Sequence, residues 1–414
     1  MKELILENLE NPKELEILYR KDKNQFVEEF RELYPKYKDH KVFQVWHERL
    51  DYEQTSISWG NRAQILFVIT IAVLAGIYAK FPDIFSIDEE FFYPRNFSFI
   101  VIPFLAAFFA WTNKLGSKRV GLIFLITFIA LLYINLLPNA PNSDSIILAC
   151  IHLPLVLWGL FGLSYVGRNF KNLQKRLEFL RFNGDLVVMS ALLFIAGAIT
   201  SAITIGLFDI ININIEEVYF RYIVVFGMPV IPILGTYLAY LNPQLVGKIS
   251  PLIAKIFTPL VLIILTVYTA TIIITGSELY QDRDFLMLFN VVLIAVIALV
   301  FFSIAESHDK RMSMSNKFIL LLLSLVTIVV NAIALSAILF RISEWGVTPN
   351  RLAVLGGNVL IFINLSIVTG SIFMSIRKST AISEVGRKIA SYLPIYIVWA
   401  AVVAFMFPLI FNFV

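Results

Sequence analysis

The chain has 414 residues, 58% hydrophobic and 15% charged, with a formal net charge of +4. Soluble domains are about 45–50% apolar and about 25% charged, and a soluble fold has no geometry to hide the excess, which excludes a water-soluble globular enzyme. The single cysteine, Cys150, excludes a disulfide framework and a cysteine-based zinc site.

Residues 1–61 come first and are hydrophilic. Asn11 before Pro12, with Glu14 following, reads as a helix N-cap with proline at the first helical position. Leu15, Leu18 and Tyr19, then Phe26, Phe30, Leu33 and Tyr34, then Val42, Phe43, Trp46 and Leu50 recur at helical spacing, interrupted by Pro35. The spacing predicts three or so short amphipathic helices, too small to bury a core of their own, docked on the inner membrane face, the inner loops or a second subunit. Two uses stay open: a solubilising dock, or a module in residues 1–55 that engages a cytoplasmic protein partner.

From residue 62 onward, eleven apolar runs approach the roughly 20 residues that a helix needs to cross about 30 Å of hydrocarbon. They are Arg62–Lys80, Phe97–Thr112, Val120–Leu137, Ile146–Val166, Leu186–Leu207, Tyr222–Leu241, Ile253–Thr275, Phe285–Ala305, Phe318–Phe340, Leu352–Ile376 and Leu393–Phe413, numbered spans 1 to 11 below. The expected fold is therefore an all-α polytopic membrane helix bundle of residues 62–414 behind a small helical N-terminal segment. No small-residue cleavage site follows span 1, so no cleavable signal is expected and span 1 serves as the insertion signal.

Charge orients the bundle. With each Lys or Arg assigned to the nearer loop, the loops after even-numbered spans hold 17, those after odd-numbered spans 6 and the N-terminal segment 11. Acidic residues run the other way, 5 against 12. Positive loops stay cytoplasmic, which places the N-terminus inside and the C-terminus outside. The inner loop Gly167–Asp185 alternates Phe170, Leu173, Leu177 and Leu180 with Lys171, Lys175, Arg176 and Arg181, the pattern of an interfacial helix lying on anionic lipid headgroups rather than a nucleic-acid patch. Membrane lipids are thus expected partners, and nucleic acid is not.

Ionisable residues within spans mark function, and no Asp, Glu, Lys or Arg falls near a span midplane. Glu306 and Asp185 stand at inner span ends, within expected reach of water. This weighs against an ion-coupled carrier with a midplane carboxylate. Uncharged polar residues collect in the outer half instead: Asn135, His152, Asn290, Asn331 and Asn358, with Asn364, Ser366 and Thr369 deeper in span 10. Either they converge on a cavity open to the outside, or each Asn is interhelical glue. His152 lacks a second ligand at metal-binding spacing, and no metal or other cofactor is implied. Gly227, Pro229, Pro232 and Gly235 predict that span 6 is bent or locally unwound. Ala198, Ala202 and Gly206 give span 5 a small-residue ridge, assigned to packing.

Two outer loops are dense in polar groups. One carries Glu216, Glu217, Tyr219 and Arg221; the other, Arg341–Arg351, reads RISEWGVTPNR. In the second, Gly346 supplies a turn, Thr348 and Pro349 cap span 10, and Arg341, Glu344 and Arg351 form either a loop ion pair or a site for an anionic headgroup or small acid. The pattern R-I-S-x-W-G-x-T-x-x-R, followed by an apolar span, resembles the signature of a widespread bacterial family of polytopic membrane proteins that carries only a domain-of-unknown-function label. The segments P-x-x-L-E-x-L-Y-R at Pro12–Arg20 and W-H-E-R-L at Trp46–Leu50 are similar to the cytoplasmic extension of its Bacteroidota members. The resemblance implies a multi-helix protein of the bacterial inner membrane and no catalytic residues.

No phosphate loop marks an ATP-driven pump, and no H-E-x-x-H occurs among His40, His47, His152 and His308. Ser164 and His152 lie about 18 Å apart along one helix, too far for a serine-protease dyad. A non-enzymatic protein that binds or moves a small or lipidic solute through an outward-facing polar pocket is the leading expectation. A sensor or assembly subunit acting through its N-terminal helices is the alternative. An enzyme on lipid-linked substrates, with Glu216, Glu217 and His152 as its acid/base groups, is a weaker third. The oligomeric state is not legible.

Overall fold

The computed structural model describes every residue except Met1, Asp22, 53–58, Lys248, 276–282, 307–311 and 379–381, so His308 and the loop after span 7 lie outside the described residues. The chain divides into two compact units, Met1–Ser58 and Trp59–Val414. All regular elements among the described residues are helical.

The first unit comprises α1 (Lys2–Glu7), α2 (Pro12–Lys21), α3 (Lys23–Leu33), a 3-10 turn at Tyr34–Lys36 and α4 (Lys41–Tyr52). Asn11 Oδ1 accepts from Glu14 N at 3.4 Å, the N-cap that the sequence predicts. The expectation that this segment buries no core of its own is corrected: Ile5, Leu15, Phe26, Phe30 and Phe43 are each at most 1% exposed and form one cluster. Aromatic volume makes this achievable in so short a segment, since each ring buries as much surface as two small aliphatics. The Arg49 guanidinium stacks 4.5 Å from the Trp46 ring and, together with Arg20, holds the Glu16 carboxyl below its ordinary range.

In the second unit ten helices among the described residues are long and apolar enough to cross a membrane. They are Arg62–Ala79, Glu89–Thr112, Ser117–Leu136, Asp144–Val166, Leu173–Ile210, Glu216–Leu241, Ile249–Thr275, Met314–Trp345, Pro349–Arg377 and Ser383–Ile410, at spans 1 to 7 and 9 to 11. Helix Arg283–Glu306 stands at span 8. Helices suit this environment because each satisfies its own backbone groups. Span 1 opens on a capping box, Asn61 and Gln64 exchanging two bonds of 2.9 Å. Span 6 is interrupted at Met228–Pro229 after a π-type turn at Tyr219–Val224. Pro229 and Pro232 cannot donate to Val225 and Met228, so the bend expected there follows directly.

The interfacial helix expected at Gly167–Asp185 is not separate. It continues into span 5 as one 38-residue helix, Leu173–Ile210. Its apolar face, Leu177, Phe179 and Phe182, is buried against protein, with Phe179 packing on Trp158 and Phe161. Glu306 likewise does not reach water: it is 5% exposed and accepts from Arg181 Nε at 3.1 Å, and Asp185 is also buried.

Three large apolar clusters, with smaller ones beside them, hold the bundle. Spans 1, 2, 4 and 6 meet the first half of span 5 around Ile71, Phe108, Phe161 and Phe179. Spans 2, 3, 4 and 11 meet around Ala130, Ala149 and Ala400. Spans 7 to 11 meet around Leu293, Leu320, Leu365 and Ile389. One close approach falls at glycine: a Cβ on Gly184 would lie 1.9 Å from the Phe302 ring.

Long-range polar contacts at the helix ends sort into two sets. Arg221 before span 6 reaches Asp83 after span 1, Arg95 reaches the end of span 3, and Ser145 N donates to Val414 O at 2.9 Å. At the other end, Asn113 after span 2 donates to Ser164 O, Arg181 pairs with Glu306 after span 8, and Lys317 before span 9 donates to Ser375 Oγ at the end of span 10. The described loops after spans 1, 3 and 5 and the end of span 11 thus gather at one end, the acidic end, and those after spans 2, 4, 8 and 10 at the other, the basic end.

Candidate functional site

Span 9 ends at Gly346, whose φ of +75° suits glycine, and Thr348 Oγ1 caps span 10 by accepting from Arg351 N at 3.3 Å. This tight reversal folds Arg351 back: its Nη1 donates to Trp345 O at 2.8 Å and Gly346 O at 2.7 Å. The Arg341 and Arg351 guanidinium carbons lie 5.4 and 5.7 Å from the Trp345 ring centre, a cation–π stack. Glu344 is exposed and makes no ion pair among the described residues, so the loop is an arginine–tryptophan stack rather than a mixed-charge cluster.

Below it the asparagines of three spans join. Asn358 Nδ2 donates to Asn290 Oδ1 at 2.8 Å, and Asn331 Nδ2 donates to Asn358 O at 3.2 Å. Asn331 and Asn358 are buried, at 0% and 3% exposure, so they form a buried interhelical ladder instead of lining an open outer vestibule. Polar residues then continue along spans 9 to 11 to the basic end. Asn364 Nδ2 donates to Tyr396 Oη at 2.9 Å, Lys388 Nζ to Ser371 Oγ at 2.8 Å and Lys317 Nζ to Ser375 Oγ at 2.9 Å. At 100° per residue, Asn364, Ser371 and Ser375 fall within about 40° on one face of span 10, with Asn358 and Thr369 on another. Together with Ser324 and Thr327 of span 9, these residues make a polar seam on two faces of span 10 within an otherwise apolar bundle. Three buried oxygens on it have no hydrogen-bond partner among the described residues: Asn331 Oδ1, Asn364 Oδ1 and Thr369 Oγ1.

The remaining candidates lie elsewhere. Asn135 belongs to a second ladder, with Asn96 Nδ2 donating to Asn135 Oδ1 and Tyr78 Oη to Asn96 Oδ1, both at 2.8 Å. Beside it Arg95, 5% exposed, donates to Ile134 O, Leu137 O and Pro138 O at 2.6, 3.1 and 2.8 Å. Pro138 has no N–H for Ile134 O, and Arg95 takes that role at the negative end of span 3. Arg221 bonds Asp83 through Nε (2.9 Å) and Nη2 (2.6 Å), while Lys80 donates to Asp83 Oδ2 and, at 2.6 Å, to Arg221 O. Lys80 and Arg221 hold the Asp83 carboxyl below its ordinary range. Tyr219 Oη donates to Ser201 Oγ at 3.2 Å; Glu216 and Glu217 are exposed. His152 Nδ1 donates to Leu148 O of its own helix at 2.8 Å. Among the described residues no His, Cys, Asp and Glu group is arranged to hold a metal ion.

The sequence points to Asn135, Asn290, Asn331, Asn358 and Asn364 but not to Asp83, Arg95, Asn96 or Tyr396. For Arg95 a signal exists, since proline four residues after Ile134 announces a carbonyl that needs another donor. Together, fold and seam define a multi-pass membrane protein of the all-α class. Neither a family model nor a curated protein nor a solved structure matches the chain.

Proposed function

We propose that this chain is a non-enzymatic multi-pass protein of the bacterial cytoplasmic membrane, of the family that its Arg341–Arg351 pattern resembles, and that it binds or moves a small or lipidic solute along the seam of spans 9 to 11. The loop charges support an orientation with the acidic end, and its Arg341–Trp345–Arg351 stack, outside. The observation that carries the reading is the set of three unpartnered buried oxygens on Asn331, Asn364 and Thr369. An unsatisfied polar atom in a low-dielectric interior costs about 1–3 kcal/mol, and a solute or water entering the seam supplies the missing donor. The two arginines at the acidic end suit an anionic group.

Cysteine accessibility tests this. In a Cys150→Ala background, single cysteines replace Asn358, Asn364 and Thr369 on the seam and Ile363 and Ile367 on exposed, lipid-facing positions of the same helix. Thiols react as thiolates, which require water. The seam cysteines are expected to react several-fold faster with a small charged methanethiosulfonate in proteoliposomes; equal rates at both sets overturn the reading.

A second reading rests on the N-terminal unit. It folds around its own core yet leaves Leu4, Ile17 and Val45 45%, 45% and 66% exposed, the surface of a module that engages a cytoplasmic partner. Pull-downs from native membranes with and without residues 1–55 test it; identical recovery refutes it.

A further inference from the structure

At the basic end a cavity of about 280 Å³ opens between spans 4 and 11. Its walls are apolar, formed by Leu163 on one side and Ile397 and Val398 on the other, with Trp158 and Phe170 also lining it. A Cβ at Gly159 would lie 2.9 Å from Ile397 and one at Gly162 3.0 Å from Phe179, so the two glycines let these side chains close on span 4 and shape the slot beside them. From Val166 to Val156 the cavity follows span 4 for ten residues, about 15 Å of helix rise.

One charged side chain lines it. Arg176 Nε donates to Phe170 O at 2.9 Å and Nη1 to Ala390 O at 3.3 Å. The second bond is the device seen at Arg95: Pro394 has no N–H for Ala390 O, and a guanidinium from another span supplies one. Both contacts fix the plane of Arg176, which makes no ion pair among the described residues and leaves Nη2 without a hydrogen-bond partner. Arg168 and Lys171 are exposed in the same loop, and Glu178 there is taken by Lys175 at 2.6 Å. A slot the length of part of an acyl chain thus ends at an oriented cation.

We propose that this cavity is a binding site for one anionic glycerophospholipid, whose phosphate accepts from Arg176 Nη2 while an acyl chain runs along Leu163, Ile397 and Val398. Charge selects the headgroup, and the apolar slot selects a lipid over a soluble anion. The site lies at the opposite end from the Arg341–Arg351 loop and does not depend on the seam.

The test uses the full chain in mixed micelles, with quenching of Trp158, isolated by subtraction of a Trp158→Phe variant, by lipids brominated along the acyl chain. Brominated phosphatidylglycerol is expected to quench at a mole fraction roughly fivefold lower than brominated phosphatidylcholine, the preference one oriented cation confers near a headgroup. Arg176→Gln is expected to abolish the preference, while an Arg168→Gln/Lys171→Gln control keeps most of it. Val398→Phe leaves Arg176 in place at an exposed position and plugs the slot, so quenching by both lipids should fall. Equal quenching by both lipids in the unaltered protein overturns the proposal, as does a preference that survives Arg176→Gln or quenching that ignores Val398→Phe.

Discussion

Replacing Arg95 by methionine keeps most of the side-chain volume and removes the guanidinium that serves three backbone carbonyls at the end of span 3. Polar contacts within membrane bundles average about 0.6 kcal/mol and reach about 1.7, so three of them correspond to about 2–5 kcal/mol. The Phe91 ring, 4.3 Å from the guanidinium carbon, adds about 0.5–1 kcal/mol. Arg95→Lys retains the charge but presents a compact ammonium in place of a fork, and should recover roughly a third of the loss. Pro138→Ala returns an N–H that Ile134 O can use if span 3 extends by a turn, so Arg95→Met/Pro138→Ala should be about 1 kcal/mol less destabilised than Arg95→Met alone. Reversible unfolding in mixed detergent–SDS micelles gives each free energy. A value for Arg95→Met within about 0.5 kcal/mol of the unaltered protein would refute the reasoning, because the carbonyls would then have other donors.

Three further outcomes are expected. Asp83 has a lowered folded-state pKa, so its bonds to Lys80 and Arg221 stabilise the fold above the ordinary carboxylate range and are lost as pH falls through the folded value; the stability gap between Asp83→Asn and the parent should close between neutral and strongly acidic pH, and a pH-independent gap contradicts this. Gly184→Val places a branched side chain where a Cβ alone would lie 1.9 Å from the Phe302 ring, and should destabilise the bundle by about 1–3 kcal/mol in the same unfolding assay, whereas Gly121→Val, in open space, should be near neutral. Phe26→Ala empties the centre of the N-terminal cluster, at a cost of about 3–5 kcal/mol to that unit. Limited proteolysis should then cut within residues 1–58 first while the helices from residue 62 stay protected, and parallel loss of both would show that the two units do not unfold independently.

The architecture was legible because in a bilayer it follows from one-dimensional quantities. Hydrocarbon thickness demands apolar runs of set length, and backbone satisfaction demands that they be helices, so counting runs located the helices from Arg62–Ala79 to Ser383–Ile410. Local chemistry was legible too: Thr348–Pro349 caps span 10 and Pro229 with Pro232 breaks span 6, since each effect acts within one helical turn. What a one-dimensional pattern does not carry is which faces meet. The alternation of Lys and Arg with Leu and Phe in Leu173–Asp185 has the same period whether the apolar stripe rests on lipid or on Phe161 and Trp158, and only packing assigned it to protein. Residues 1–58 were too few for a core by length, but the convergence of Phe26, Phe30 and Phe43 depends on how α3 and α4 cross. The asparagines announced a polar site by their cost in hydrocarbon; that Asn331, Asn358 and Asn290 bond one another through their amide groups while Asn331, Asn364 and Thr369 keep oxygens unpartnered among the described residues was decided by tertiary structure, because hydrogen bonds depend on ångström distances between helices that sequence spacing does not encode.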